Sequence, residues 1–196
     1  MTSTSVACAL AGAVAVVSAQ AVVSRPEGDS MERKLQTITE RGTIPATQSA
    51  PLSRTTFTDR ELNSYLAYNA LSKLPVGLRE PRITIPAANR FDARAVVDLD
   101  EVRKSKDYGI LGLVLQGTHE IKLSGTFSGA NGKGTVHVTA ATLDGVSVPE
   151  NLIEALVNHF SKTPDIPGGF QLDKPFDLPS KIRTLQLQPG SVTIVQ

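Results

Sequence analysis

The chain has a single cysteine, no tryptophan and only 5% aromatic residues in 196. Cys8 falls inside an apolar N-terminal stretch, so the rest of the chain can form no disulfide, hold no thiolate metal site and use no thiol nucleophile. Cys8 also precedes most of that stretch, whereas a lipidation cysteine would have to follow it. The scarcity of aromatics removes the usual stacking platforms for single-stranded nucleic acid and for sugars. A formal net charge of +1, with Lys and Arg scattered among Asp and Glu, gives no basic stripe, so no nucleic-acid partner is expected. What remains, at 40% hydrophobic and 20% charged residues, is the composition of an ordinary globular protein with a real core.

The N-terminus differs from the rest. Val6 to Val17 contains no charge, and Ala19-Gln20-Ala21 supplies the small-x-small pattern of a signal-peptidase site, with cleavage expected after Ala19 or Ala21. Residues 1–21 are therefore expected to be a signal peptide or N-terminal anchor, and the protein to be exported to the periplasm or cell envelope. Met1 to Ser5 lack the Lys or Arg of a typical leader. An uncleaved anchor over Val6 to Val23 is the alternative, near the lower limit for spanning a bilayer.

Residues 22–55 read as a linker with a short helical segment, in which Ser30 caps and Met31, Leu35 and Ile38 recur at helical spacing. A single domain is expected over residues 56–196. It opens on "TFTDRELNSYLAYN", where Thr58 and Glu61 form a capping box and Phe57 with Leu62 a hydrophobic staple. Leu62, Tyr65, Leu66 and Ala70 share one face, predicting a helix that runs to about Ser72 and buries that stripe.

From Arg79 onward the period drops to two. Phe91, Ala93, Ala95, Val97 and Leu99 alternate with Asp92, Arg94, Val96, Asp98 and Asp100, as on a strand with one dry and one wet face. Leu111 to Phe127 keeps one register, with Leu113, Leu115, His119, Ile121 and Leu123 on the dry side. A strand that long would reach roughly 55 Å, so it must bend, and Gly117 and Gly125 are the places to do it. The loop "SGANGKG" turns the chain into a returning strand with Val136, Val138 and Ala140 on the dry face. A second helix is predicted from about Pro149 to Ser161, with Leu152, Ile153, Leu156, Val157 and Phe160 as its apolar ridge. A final hairpin turns at Pro189-Gly190 and is expected to close a sheet edge. The fold class is α+β: a long, curved antiparallel sheet packed around two amphipathic helices.

Signals for chemistry are weak. His137 and His159 read as solvated residues, and His119, on the dry face, as a hydrogen-bonded neutral histidine at a sheet end with no carboxylate spaced to join it. "DLDEV" lacks the glycine of a calcium loop and reads as the wet side of a strand. "GKG" is turn chemistry, and no Gly-x-Ser-x-Gly element is present. No catalytic residue, metal site or cofactor is expected, which turns attention from reaction to binding.

The stretch "FTDRELNSYLAYN", followed by long alternating strands and the helix "PENLIEALVNHF", resembles small bacterial envelope proteins of the tubular lipid-binding type, including periplasmic lipoproteins. That resemblance implies a sheet wrapped around helices with lipid held along the interior. It would make Leu62, Tyr65, Leu66, Leu113, Leu115, His119, Leu152, Leu156 and Phe160 ligand-lining, with a lipid or other apolar small molecule as partner and peripheral membrane contact. The alternatives are a solid core, in a structural or protein-interaction module of the envelope, and an unrecognised hydrolase, which would need a cleft joining His119 to a carboxylate.

Overall fold

The computed structural model describes residues 23–45, 51–104, 116–160 and 168–196. In chain order it holds α1 (Arg25–Thr43), β1 (Arg54–Thr58), α2 (Asp59–Tyr68) and a 3-10 turn (Leu71–Lys73). Next come β2 (Leu78–Ala87), β3 (Arg90–Asp98), α3 (Leu99–Lys104), β4 (Thr118–Ala130), β5 (Lys133–Leu143) and β6 (Val146–Ser147). The chain continues through α4 (Glu150–Phe160), β7 (Phe176–Asp177), β8 (Thr184–Gln188) and β9 (Ser191–Val195). The architecture is α+β. A six-stranded antiparallel sheet runs β2-β3-β4-β5-β6, with β7 also on β5, and a separate three-stranded sheet runs β1-β9-β8.

The expected linker is corrected. Residues 25–43 form one nineteen-residue helix, not a short piece, with a proline in its first turn, Glu27 near its N-terminus and Arg41 near its C-terminus. Met31 and Ile38 are buried, so α1 is part of the core. Residues 54–58 are also structured, as a strand paired residue for residue with β9, from Arg54 opposite Val195 to Thr58 opposite Ser191. The last hairpin therefore does not close an edge of the long sheet; β8 and β9 complete a sheet of their own with β1.

The main core lies where this small sheet meets α1, α2 and the tip of the large sheet. Met31 and Ile38 of α1, Phe57 of β1, Ile85 of β2 and Ile194 of β9 pack there with Leu178 and Ile182. A smaller cluster sits farther along the large sheet. Ile153 of α4 joins Ala141 and Leu172, flanked by Leu123, Val136, Val138 and Val157.

Turn chemistry sets the hairpins. Asn131-Gly132 joins β4 to β5 in two residues, both at positive φ (53° and 75°), and Asp144-Gly145 joins β5 to β6 likewise (49° and 81°). Both are the primed turns whose twist suits adjacent antiparallel strands. The β4–β5 loop is thus tighter than the seven residues of "SGANGKG" suggested.

The predicted seventeen-residue strand is shortened. β4 begins at Thr118, one residue after Gly117 turns the chain with φ of 86°, and Leu113 and Leu115 lie outside the described residues. At Gly125 the pairing shifts: Ser124 faces Ala140 but Gly125 faces Val138, leaving Thr139 as a bulged residue in β5. That extra residue reverses the side-chain alternation, which is why Ala140 is exposed and Ala141 buried, opposite to the simple period-two reading. A Cβ on Gly125 would lie 2.5 Å from the His137 carbonyl oxygen and 2.7 Å from the Phe91 ring, so only glycine fits at this crossing.

Leu99 is not the end of a strand. Asp98 Oδ1 accepts hydrogen bonds from the amides of Asp100 and Glu101, both at 3.1 Å, and opens the short helix α3. "DLDEV" is therefore a helix start, with Arg79 bridging Asp98 at 2.9 Å and Glu101 at 3.0 Å.

Candidate functional site

The opening motif is the best-connected part of the molecule. Glu61 N donates to Thr58 Oγ1 at 3.1 Å and Thr58 N donates to Glu61 Oε2 at 3.0 Å, completing the expected capping box. The same carboxylate also reaches α1. It accepts from Lys34 Nζ at 2.7 and 2.8 Å and from Ser30 Oγ at 2.8 Å. Burial alone would raise the Glu61 pKa, but Lys34, Ser30 and the Thr58 amide together hold it below the usual glutamate value.

The expectation that α2 buries Leu62, Tyr65 and Leu66 is corrected in one respect: its fully buried residues are Glu61, Asn63 and Ser64, and the three apolar residues are half-buried. Asn63 behaves like a peptide group of a neighbouring strand. Its Nδ2 donates to the Ile83 carbonyl at 2.7 Å and its Oδ1 accepts from the Ile83 amide at 2.8 Å. Two residues along, the Ile85 amide donates to Asp59 Oδ2 at 3.2 Å. β2 is an edge strand, so α2 occupies backbone groups that another chain could otherwise pair with. Ser64, with no solvent exposure, accepts from the Ser24 amide at 3.2 Å. α1 crosses α2 at Gly28, where a Cβ would stand 2.5 Å from Asn69 Oδ1. The helix ends at Tyr68, short of Ser72, and a 3-10 turn follows.

Leu62 and Tyr65 pack against the main cluster. Leu152 is half-buried on α4, a helix whose Ile153 and Val157 belong to the smaller cluster. Leu156 and Phe160 fall within the α4 span. Of the candidate ligand-lining residues, Leu62 and Tyr65 are thus placed on a core cluster, and the side chains of Leu113, Leu115, Leu156 and Phe160 lie outside the described residues.

His119 does meet a carboxylate. Asp144 lies in the turn after β5, and its Oδ2 is 2.6 Å from His119 Nδ1, while its Oδ1 accepts from the Glu120 amide at 2.8 Å. The other ring nitrogen, Nε2, is 2.9 Å from the Gln116 carbonyl oxygen. Both neighbours are acceptors, so only the doubly protonated ring satisfies both contacts. The Asp144 carboxylate and then the Gln116 carbonyl raise the His119 pKa, and Asp144 is lowered in turn. The expected neutral histidine is thereby corrected to one that favours the imidazolium. A general base needs a free ring nitrogen aimed at substrate, and this arrangement commits both. The missed signal was Asp144-Gly145 itself, a turn whose carboxylate points back to the strand. His137, placed on the wet side, is half-exposed, with its Nδ1 2.5 Å from Asp173 Oδ1.

A depression of about 290 Å³ opens at the β4–β5 bulge, lined by Pro86, Arg90, Phe91, Asp92, Ser124, Gly125 and Thr139. Its floor is polar, with Ser124 Oγ donating to Asp92 Oδ1 at 2.6 Å. Among the described residues no group of three or more His, Cys, Asp or Glu side chains is placed to hold a metal ion. No described helix is long and apolar enough to cross a membrane. No protein-family model matches the chain, and no curated protein or solved structure is significantly similar to it.

Proposed function

We propose that this protein is a non-catalytic binding module of the cell envelope that works through its outer surface, with helix α2 packed on the core rather than on a ligand. One observation carries the reading. Leu62 and Tyr65, which a lipid-holding interior would need at its wall, pack instead on the cluster of Met31, Phe57 and Ile194. The polar side of the same helix is bonded to β2 through Asn63 and Asp59, which fixes α2 against the sheet. A groove between helix and sheet would require those bonds to break.

The envelope assignment rests on the leader-like composition of residues 1–21. Fractionation of cells expressing the full chain tests it; recovery only in the cytoplasm would remove that part of the reading. The packed interior is tested by mass spectrometry of organic extracts from purified protein. The expected result is no stoichiometric lipid. About one lipid per chain would instead establish the lipid-carrying alternative, in which helices and sheet separate around an apolar ligand.

A further inference from the structure

The outer face of the large sheet carries a row of like charges that sequence order conceals. Arg82 of β2 pairs directly with Arg94 of β3, and Arg94 pairs directly with Lys122 of β4. Directly paired residues of antiparallel strands project to the same face, and like charges in that relation destabilise the sheet. At a strand spacing of about 4.8 Å the row is roughly 10 Å long. Glu120 answers it in part, at 2.7 Å from Lys122 Nζ and 3.9 Å from Arg94 Nη1. Arg82 forms no ion pair with another described residue.

At the register-paired positions of this face the carboxylates do not cancel the excess, and an exposed Glu80 lies two residues from Arg82 at the β2 irregularity. Among the register-paired positions of this face, Arg90 adds a fourth cation two residues from Asp92, whose carboxylate is occupied by Ser124. Arg82, Arg90, Arg94 and Lys122 thus stand against Asp92 and Glu120. Toward α3, Arg79 is already balanced by Asp98 and Glu101. The fold therefore sustains a row of like charges that, among the described residues, Glu120 relieves only in part.

We infer that this sheet face docks on an anionic bilayer surface, with Arg82, Arg94 and Lys122 contacting lipid phosphates. This rests on the outer-surface reading above. The Arg94 and Lys122 side chains are 54% and 56% exposed and Arg82 is half-buried, so two of the three cations stand open to solvent. An open line of cations matches phosphates presented side by side, as a bilayer presents them. Each surface cation contributes attraction of about 1 kcal/mol, roughly fivefold in partition, which fades over a Debye length.

The test is sedimentation of the purified full chain with vesicles of phosphatidylcholine alone or with one-third phosphatidylglycerol. Binding is expected only to the anionic vesicles, and it should weaken at least tenfold between about 50 mM and 300 mM salt. The triple variant R82Q/R94Q/K122Q should lose on the order of a hundredfold in partition. The variant R33Q/R41Q/K174Q, with the same change in charge elsewhere, should stay within about threefold of the parent. Because the first variant relieves repulsion, its thermal midpoint should not fall, which separates lost binding from lost folding. Equal loss in both variants, equal binding to neutral vesicles, no binding at all, or displacement by millimolar inorganic phosphate would overturn the proposal. Lipid-free extracts with no vesicle binding would sink this docking face alone, whereas stoichiometric lipid in the extract would sink the outer-surface reading itself.

Discussion

The two ends of this domain are held by different physics. Around α1, α2 and the small sheet, the apolar cluster is surrounded by buried polar bonds with single addresses: Asn63 to Ile83, Glu61 to Lys34, Ser64 to Ser24. Around α4 and the β4–β5 hairpin there is a smaller apolar cluster, and the polar contacts are exposed or half-exposed, as between His119 and Asp144 and between His137 and Asp173. Apolar contacts tolerate sliding, while a buried hydrogen bond is satisfied in one placement only. The first end should therefore be the more rigid and the less forgiving of substitution.

The sharpest way to break that contrast is Asn63→Ala, which strands a buried donor and acceptor of Ile83. A loss of about 3–4 kcal/mol is expected in urea unfolding. A loss below about 1 kcal/mol would mean that water replaces the tether.

Next is Glu61→Gln, with an expected loss of about 2–3 kcal/mol near neutral pH. Because the folded carboxyl titrates below its ordinary value, its stabilisation is complete above about pH 4.3 and disappears as pH falls through the lower folded value. The variant should therefore show a flatter acid limb in its stability–pH profile than the parent.

At the other end, Gly125→Ala forces a Cβ against the backbone of His137 and the Phe91 ring. About 2 kcal/mol is expected, with shifts in amide resonances confined to the bulge. Shifts that reached α1 would show the two ends to be coupled more tightly than their contacts suggest.

The smallest effect belongs to Asp144→Asn. The His119 pKa, followed by NMR, should fall toward about 6.5 when the carboxylate is removed. In the parent, the clasp stabilises most below the unfolded value and weakens as pH rises through the raised folded one. Hydrogen exchange in the 143–147 turn should accordingly quicken with pH beyond its intrinsic rise, and the variant should lack that extra increase.

What the sequence made legible follows from the range of the interactions involved. The capping box was readable because Thr58 and Glu61 are three residues apart, and α4 because its apolar ridge dominates its composition. α1 was underread because Met31 and Ile38 are separated by charged and polar residues, so an apolar count sees little. The burial of Asn63 was invisible for a similar reason: its partner lies twenty residues away and the bond is to backbone, which carries no side-chain signature. Thr139 shifted the face of β5 by a single bulged residue, beyond the reach of a strict alternation rule. The row of Arg82, Arg94 and Lys122 exists only in the strand register, since the three are scattered along the chain. Position 144 reads as turn chemistry until folding delivers its carboxylate to His119.

The pairing of β1 with β9 also sets a timetable. β1 is made early, yet its only sheet neighbour among the described strands is synthesised after every other described element. Contacts of such long sequence separation form late, because the intervening loop must close first. Ser53 and Gln196 extend the same ladder, and Gln196 Nε2 then ties the carbonyls of Ile38 and Ser180 together. Until β9 emerges from the ribosome, Phe57 has no sheet to enter and the main core cannot shut. Closure of the main core is thus tied to the strand pairing of longest sequence separation among the described strands.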